Sequence, residues 1–367
     1  MLEILNELPP SITDYKSGKL DESTNIINFE NGLFDMVDYY NTGVPRLFKH
    51  TPKALSSIRI PIVYNPEAKC PKIEQFLLDV LPEDCHSLIY EICGYFLVPD
   101  CRYEKAVMLV GDGANGKSTF LKLLRLFIGE KNVSSESLHD LINNRFRSAS
   151  LVGKLVNIHP DLSNKFIADS SMFKTLVSGD EISVERKGQD PFKMMNTARL
   201  IFSTNEIPKA GDISPAFYRR WIFIRFSQTF PEDKRDTRLL SKITTPNELS
   251  GLLNKVIEGL CRLRINGKFT EPQSTIAEKD IYQSQNDTVK QFFDDRCEVR
   301  IGMTSQKTAI YRAYNEWCKD CNYKPVSLIK FNARLKVLIP FDNEDDPREF
   351  EGGKRVRVWR GITYNYN

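Results

Sequence analysis

Residues 107–124 read VMLVGDGANGKSTFLKLL, and this stretch decides the fold. Gly111, four further residues and then Gly-Lys-Ser ending at residue 118 match the spacing of a P-loop. Residues 105–110 form a short apolar run, which predicts a buried parallel strand. Apolar residues recur at helical spacing after Lys117, so the motif has the strand–loop–helix context that it requires.

The glycines of this loop explain its predicted chemistry. Without side chains they let successive backbone N–H groups point inward as an anion nest, and the following helix adds its positive dipole end. We expect Lys117 to reach the β and γ phosphates of ATP and the Ser118 hydroxyl to ligate Mg²⁺. The predicted ATP-binding residues are Gly111, Asp112, Gly113, Ala114, Asn115, Gly116, Lys117, Ser118 and Thr119.

Composition limits the remaining possibilities. The 367 residues suggest about two or three domains. A formal net charge of only +3 means that local basic patches must support any argument for a nucleic-acid partner. No apolar run is long enough to span a membrane, and no signal-peptide pattern follows Met1. The eight scattered cysteines favour reduced thiols in the cytoplasm, and the lone Cys318-x-x-Cys321 pair lacks the further ligands of structural zinc.

The segment before the P-loop has two parts. Residues 1–66 predict a β-rich lead-in, with a hairpin at Asn31-Gly32 and a further strand at residues 58–64. Residues 67–100 carry two apolar stripes at helical spacing, which predict a small helical region ahead of the nucleotide domain.

Asp161 follows a second apolar run, residues 154–158, and is the predicted Mg²⁺-holding acid at the end of a neighbouring strand. A turn or helix-cap role is the alternative, because Asp is common at such positions. Many P-loop enzymes carry a second acid just before the first, but here that residue is Pro160, which cannot activate water. Glu206 or Glu181 could substitute, and the sequence does not choose between them.

Two further strands carry polar candidates. A run at residues 199–205 ends in Asn205, which could position the attacking water or the γ-phosphate, or could serve only as a turn residue before Pro208. Arg219 and Arg220 precede a strand at residues 221–226. They are either solvated surface residues or fingers that reach a phosphate in a neighbouring subunit.

Two basic regions are candidate nucleic-acid contacts. Residues 182–192 predict a hairpin whose tip carries Arg186 and Lys187, although a charged tip is often only solvated. Residues 288–367, after a polar connector at 269–287, predict three helices and a hairpin in the order of a winged helix, which could serve DNA or only protein contacts. The basic residues of its third helix and wing are Lys330, Arg334, Lys336, Lys354, Arg355, Arg357 and Arg360.

Taken together, the motifs resemble the superfamily 3 helicases of phage and plasmid primase–helicases, with the poxvirus primase–helicase as a more distant relative. The resemblance covers residues 20–367. It rests on GDGANGKST, KLVNIHPDL, FKTLVSGDEISVERKGQDPF, LIFSTNEIP and FYRRWIFIRF, in that order.

This resemblance implies an α/β fold with an AAA+-like P-loop ATPase core at residues 101–268 and a winged helix at 288–367. It implies a ring ATPase, usually a hexamer, that moves 3′-to-5′ on single-stranded DNA, with residues 67–100 as a candidate oligomerisation collar. Lys117, Ser118 and Asp161 match the phosphate and Mg²⁺ positions, and Asn205 matches the sensor asparagine. Arg219 or Arg220 matches the trans finger, and we favour Arg220.

Other functions remain open at the sequence level. The chain could instead be an initiator that binds origin duplex DNA, with an ATPase that controls assembly and little unwinding of its own. A small-molecule kinase is a weaker alternative, since it leaves the paired arginines and the basic hairpin unexplained. The family's primase–polymerase domain usually precedes this region, so a primase or polymerase is a candidate partner, and no priming activity is assigned to these residues.

Overall fold

In the computed structural model, which describes residues 4–5, 21, 23–321, 323–341, 348–351 and 354–364, the first strands form a four-stranded sheet around Asn31-Gly32. The predicted hairpin is confirmed by antiparallel pairing across this turn. The strand predicted at residues 58–64 is wrong: Ile60 forms only an isolated bridge to Phe29, and the Ile62 N–H donates back to the Ile60 carbonyl oxygen at 2.8 Å. The elements are β1 (Ile4–Leu5), β2 (Ile26–Phe29), β3 (Gly32–Asp35), α1 (Met36–Thr42) and β4 (Leu47–Phe48).

Two amphipathic helices follow, α2 (Pro71–Val80) and α3 (His86–Tyr95). The proline at the first position of α2 has no N–H group. This loses no hydrogen bond, because the first N–H groups of a helix have no acceptor within the helix. The buried Glu248 carboxylate accepts the next two N–H groups, from Lys72 at 3.3 Å and Ile73 at 3.1 Å. A charge from a distant part of the chain therefore caps this helix and complements its dipole.

A five-stranded, fully parallel sheet forms the centre of the chain, in the order β11-β5-β10-β7-β6. Its strands are buried because helices cover both faces, as their apolar sequences require. A separate two-stranded hairpin, β8–β9, lies outside this sheet. The elements are β5 (Ala106–Val110), α4 (Lys117–Ile128), β6 (Val133–Ser134), α5 (Leu138–Asn143), β7 (Val156–His159), α6 (Ser171–Ser178), β8 (Glu181–Val184), β9 (Phe192–Met195), β10 (Arg199–Thr204), α7 (Pro215–Tyr218) and β11 (Trp221–Arg225).

Helices α8 (Leu239–Ile243), α9 (Pro246–Asn266) and α10 (Gln273–Asn286) follow the sheet. The long helix α9 packs along α3, and one continuous core joins these helices to the amino-terminal strands and to the central sheet. The close approach depends on glycine, because a Cβ added at Gly259 would lie 2.6 Å from the carbonyl carbon of Tyr90. The polar segment interpreted as a connector contains α10.

The chain divides into two compact units, Met1–Lys279 and Asp280–Asn367. The second contains the three predicted helices and the predicted hairpin, together with β12, which was not predicted. Its antiparallel sheet has the order β12-β14-β13. Within the described residues, no helix is both long and apolar enough to cross a bilayer. The elements are α11 (Thr288–Arg296), β12 (Cys297–Gln306), α12 (Lys307–Asp320), α13 (Leu328–Leu338), β13 (Arg348–Glu351) and β14 (Lys354–Tyr364).

We expect Gly259→Ala to destabilise the protein by about 1–3 kcal/mol, the usual cost of overpacking. The added Cβ meets backbone atoms of Tyr90 and Glu91, which cannot rotate away. Thermal denaturation should show a lowered Tm, whereas the exposed Lys255→Ala on the same helix should change it little. A raised Tm in Gly259→Ala would show that helix propensity, which favours Ala by about 1 kcal/mol, outweighs the contact.

Candidate nucleotide site

The loop between β5 and α4 has the backbone conformation of an anion nest. Gly113, Ala114 and Gly116 have φ angles of 103°, 48° and 93°. Such left-handed backbone turns successive N–H groups toward one side. Gly111 is required for space, since an added Cβ would lie 2.2 Å from Nδ2 of Asn115. The loop therefore has the backbone conformation that the predicted phosphate cradle requires.

Contacts from β11 and the segment after it hold this loop in place. Asn115 is buried and donates from Nδ2 to the carbonyl oxygen of Phe226 at 3.2 Å. The Phe230 N–H donates to the carbonyl oxygen of Ala114 at 3.0 Å, and the Phe226 N–H to that of Val110 at 2.8 Å. The loop is thus held by one side-chain and two main-chain hydrogen bonds to β11 and the segment after it.

The Lys117 ammonium is almost fully buried among neutral oxygens. It donates to the Gly111 carbonyl, to Oδ1 of Asn115 at 3.1 Å and to Oδ1 of Asn205 at 3.4 Å. Lys117 and Asn205, predicted from separate motifs, therefore meet. Burial lowers the pKa of Lys117 below its usual 10.5, an effect opposed by the charges of Asp112 and Asp161. A phosphate would supply the direct anionic partner that these contacts lack.

The order of strands corrects one expectation. Asp161 was predicted to follow a strand next to the P-loop strand, but β10 lies between β5 and β7. Asn205 therefore directly follows β10, the strand next to β5. Asp161 follows β7, which is one strand further from the P-loop strand. A sequence shows the order of strands along the chain, whereas their order in the sheet depends on crossovers that pass over a strand.

Ser118 and Asp161 fit a Mg²⁺ site at this edge. Both are exposed, Ser118 on the first turn of α4 and Asp161 just after β7. Mg²⁺ prefers one or two protein oxygens together with water and phosphate oxygens, rather than a protein cage. No group of three His, Cys, Asp or Glu residues that could hold a metal occurs in the described ranges.

Glu206 and Glu181 are the two candidate acids for activating water in a chain that has Pro160 before Asp161. The structure places them in different parts of the fold. Glu206 follows Asn205 directly at the carboxyl edge and accepts a hydrogen bond from Nδ2 of Asn164 at 2.8 Å. Glu181 begins β8 and pairs with Lys193 at 2.7 Å on the separate hairpin. Glu206 is therefore the acid placed beside the predicted site.

Arg219 and Arg220 lie at the opposite, amino-terminal edge of the sheet, where the Ala106 N–H donates to the Arg220 carbonyl. The favoured residue, Arg220, is 8% exposed and is bound within its own subunit. It donates to Oγ of Ser178 at 2.8 Å and to the Ala216 carbonyl at 2.7 Å. This burial argues against our preference for Arg220 as the finger, because a finger must extend from its own subunit to reach another.

Arg219 has the opposite character. Its side chain is 59% exposed and pairs with Glu104 at 2.7 Å, a carboxylate that also contacts Arg220 at 3.2 Å. The Lys105 ammonium holds the Arg219 backbone carbonyl. Arg219 is therefore fixed at its base and largely exposed along its side chain, so the two adjacent arginines differ in exposure although the sequence presents them alike.

The hairpin β8–β9 carries the predicted basic tip. Arg186 and Lys187 are exposed, and the Arg186 guanidinium lies 5.3 Å from the ring centroid of Phe192. Gly188 has φ 77° with open space around it, which allows the sharp turn. The tip projects from β-paired residues and so presents both cations to solvent.

Sequence reasoning missed a second basic and aromatic element beside this hairpin. Helix α5 ends at Asn143, so Arg145 and Phe146 lie in a loop. Arg145 pairs with Glu185 of the hairpin at 3.0 Å and lies 4.9 Å from the ring centroid of Phe146, which is 39% exposed. The alternation in NNRFRS was the available signal.

The basic residues of the carboxyl-terminal unit are only partly available. Arg334 donates from Nε to Asp287 at 2.6 Å, and Asp287 also caps α11, so this arginine has a structural partner. Arg355 and Arg357 lie exposed on β14, and Lys330 and Lys336 lie exposed on α13. The side chain of Lys354 falls outside the described residues.

Comparison with known families matches three parts of the chain. Residues 2–82 match a family described as "D5 N terminal like", and residues 284–357 match "Poxvirus D5 protein-like". Residues 109–220, which include the P-loop and both arginines, match a "Family of unknown function (DUF5906)". Together these matches support a likeness to the D5-like primase–helicase family.

Individual relatives of this D5-like chain are distant. It is 21% identical over 333 residues to "Putative helicase L207/L206" of Acanthamoeba polyphaga mimivirus, a match that covers 83% of the chain but 34% of that protein. The chain thus spans about a third of the relative's length. Two structures of the NrS-1 C-terminal region, both apo, match with TM-scores of 0.51 and 0.50 at 13% identity. They cover 93% and 94% of this chain and 83% and 84% of theirs, and they support the fold alone.

The lowered pKa of Lys117 predicts how ATP affinity depends on pH. Bound phosphates stabilise the charged ammonium of Lys117. At a pH where Lys117 of the empty site is deprotonated, ATP binding is therefore accompanied by the uptake of one proton. Affinity should therefore fall as pH rises through the lowered pKa, beginning below 10.5. Calorimetric titration with a non-hydrolysable ATP analogue would measure this. Lys117→Arg, which stays charged, should show no such fall. A flat wild-type profile up to that pH would contradict the prediction.

Proposed function

We propose that this D5-like chain is an ATP-dependent DNA helicase of superfamily 3, an AAA+-like ring that moves 3′-to-5′ along single-stranded DNA. The placement of Lys117 and Arg219 at opposite edges of one sheet carries the proposal. Strand β5 has five residues, about 16 Å at about 3.3 Å per residue. Arg219 is therefore out of reach of its own P-loop, and a ring would bring it to the nucleotide of a neighbouring subunit.

The residues at the carboxyl edge suit the binding of a triphosphate. The loop N–H groups and the buried Lys117 would bind the phosphates, and Asn205 would orient the attacking water or the terminal phosphate. Ser118 and Asp161 would hold Mg²⁺, which neutralises charge that develops on the phosphates. Glu206 is our candidate for the group that orients water in this chain, where Pro160 precedes the metal-holding acid.

The hairpin and its neighbouring loop suit contact with a single strand. Arg186 and Lys187 offer charge to successive phosphates without reading bases, and Phe146 offers a ring on which a base can stack. The ion pair between Arg145 and Glu185 would hold the loop and the hairpin together as they move. In a ring, one such pair of elements from each subunit would face the channel.

For the carboxyl-terminal unit we propose a winged helix that contacts duplex DNA. The order of its helices and strands and the exposed Arg355 and Arg357 on β14 support this. The same features favour a second candidate function, an ATP-controlled initiator that assembles on origin duplex with little unwinding. Forked DNA distinguishes the two, because only the motor displaces a strand when ATP is supplied.

Mixing two inactive variants tests the shared site. Lys117→Ala should abolish ATP hydrolysis, and Arg219→Ala should lower turnover by roughly 10³-fold or more, as for other arginine fingers. Mixed rings should regain part of the activity, because some interfaces pair an intact P-loop with an intact Arg219. Steady-state hydrolysis across mixing ratios, with ring formation followed by particle mass, measures the effect.

Arg220→Ala is the matched control for the finger. Its partners lie within its own subunit, so its loss should lower thermal stability, whereas Arg219→Ala should leave Tm nearly unchanged. Mixed rings of Lys117→Ala and Arg219→Ala that form but stay inactive at every ratio would exclude a shared site.

Removing both cations from the hairpin tip should separate hydrolysis from movement. In Arg186→Ala/Lys187→Ala, single-strand binding should weaken, with a salt slope reduced by about 0.7 for each lost phosphate contact. Basal ATPase should survive, since the tip is not part of the nucleotide site, but fork unwinding should be lost. Filter binding at several salt concentrations and a strand-displacement assay measure these quantities.

Arg355→Ala/Arg357→Ala provides the comparison. If these residues contact only duplex, their loss should leave unwinding of a preformed fork intact. Normal unwinding by the hairpin variant together with lost unwinding by this variant would reject the assignment of the hairpin to the channel.

A further inference from the structure

Arg225 differs from the other arginines of its motif in its position along β11. It ends the strand and pairs in register with Val110, the last residue before the P-loop. Arg219 and Arg220 precede the same strand and lie at the other edge. Arg225 is therefore at the edge of the sheet where Lys117 and Asn205 meet, within its own subunit.

A buried carboxylate fixes the Arg225 guanidinium in one orientation. Nε and Nη2 donate to the two carboxylate oxygens of Glu278 on α10, each at 2.6 Å. The Glu278 side chain is only 5% exposed, whereas that of Arg225 is 41% exposed. This bidentate geometry uses one edge of the guanidinium and leaves Nη1 with no hydrogen-bond partner among the described residues.

The charges around Arg225 connect it to the phosphate cradle. The hydrogen bonds that Arg225 donates to Glu278 raise the pKa of Arg225, and the charge of Asp112 in the P-loop contributes in the same direction. The charge of Arg225 in turn helps to lower the pKa of Lys117. The positive charges of Arg225 and Lys117 thus repel each other across the loop, and a bound polyanion would reduce this repulsion.

We propose that Arg225 binds the terminal phosphates of a nucleoside triphosphate in its own subunit, and that Glu278 is the residue that positions it. The inference rests on the proposed function. It assigns Arg225 to the nucleotide held by the same chain, while Arg219 serves a neighbour. Each nucleotide would then meet two arginines, one fixed by Glu278 and one supplied by the next subunit.

Single substitutions give the first part of the test. Arg225→Gln should weaken binding of a non-hydrolysable ATP analogue by at least about fivefold. Arg262→Gln is the matched control, because it breaks a similar ion pair with the buried Glu91, at 2.7 Å, away from the P-loop. It should lower Tm to a similar degree and leave affinity unchanged. Equal affinities of Arg225→Gln and wild type, or equal losses in the two variants, would overturn the proposal.

A charge swap gives the second part. Arg225→Glu combined with Glu278→Arg keeps an ion pair but places a carboxylate beside the cradle. If Arg225 contacts phosphate, the swap should recover Tm relative to Arg225→Glu alone and still bind the analogue at least about tenfold more weakly than wild type. Recovery of affinity together with Tm would show that the pair is only structural. If the swap does not fold, the comparison of Arg225→Gln with Arg262→Gln decides.

Failure of this inference differs from failure of the proposed function. Wild-type protein that binds no ATP analogue would overturn both. Wild-type protein that binds the analogue, loses it in Lys117→Ala and keeps it in Arg225→Gln would overturn only the role of Arg225.

Discussion

The common direction of the five central strands is the constraint on which the rest of the structure depends. Because all five are parallel, residues that follow strands meet at one edge and residues that precede them meet at the other. The first edge gathers Lys117, Asn205 and Asp161 from separate motifs. Arg219, only six residues before Arg225, is carried to the other edge. The direction of the chain thus places the proposed phosphate site at one edge of the sheet and Arg219 at the other.

The loop around Lys117 is held by hydrogen bonds between the chain's own residues, and this has an electrostatic cost. Lys117 is held by neutral oxygens, so its charge is solvated by dipoles without a direct counterion. Burial of an ammonium under such conditions lowers its pKa, as found here. Ordering of the loop through Asn115 and Ala114 removes part of the entropy that a flexible loop would lose on binding. Affinity for a polyanion is thereby favoured both by preorganisation and by relief of an unbalanced charge.

The sequence predicted individual motifs and strands more accurately than it predicted which of them lie next to each other in the fold. The P-loop, the hairpin and the strands that end in Asn205 and Asp161 follow from local apolar spacing and from glycine positions, so short windows contain the necessary information. The strand order did not follow, because crossover connections leave no local signal. The burial of Arg220 and the pairing of Arg225 with Glu278 depend on contacts between residues more than 40 positions apart. Two adjacent arginines look alike in a sequence, and only the packing of α6 and α7 against the sheet distinguishes them.

The contact of helix α2 with the P-loop determines which fragment of the chain could keep that loop intact. This helix ends more than 30 residues before the motif. A Cβ added at Gly116 would lie 2.7 Å from Cγ1 of Val80, so the last turn of α2 forms the back wall of the loop. The same helix is capped by Glu248 from α9, beyond the sheet. An excised fragment that begins at residue 101 would lack this wall and would leave the Glu248 carboxylate without the N–H groups that it binds. A fragment that keeps the loop together with these contacts therefore extends back through residue 71.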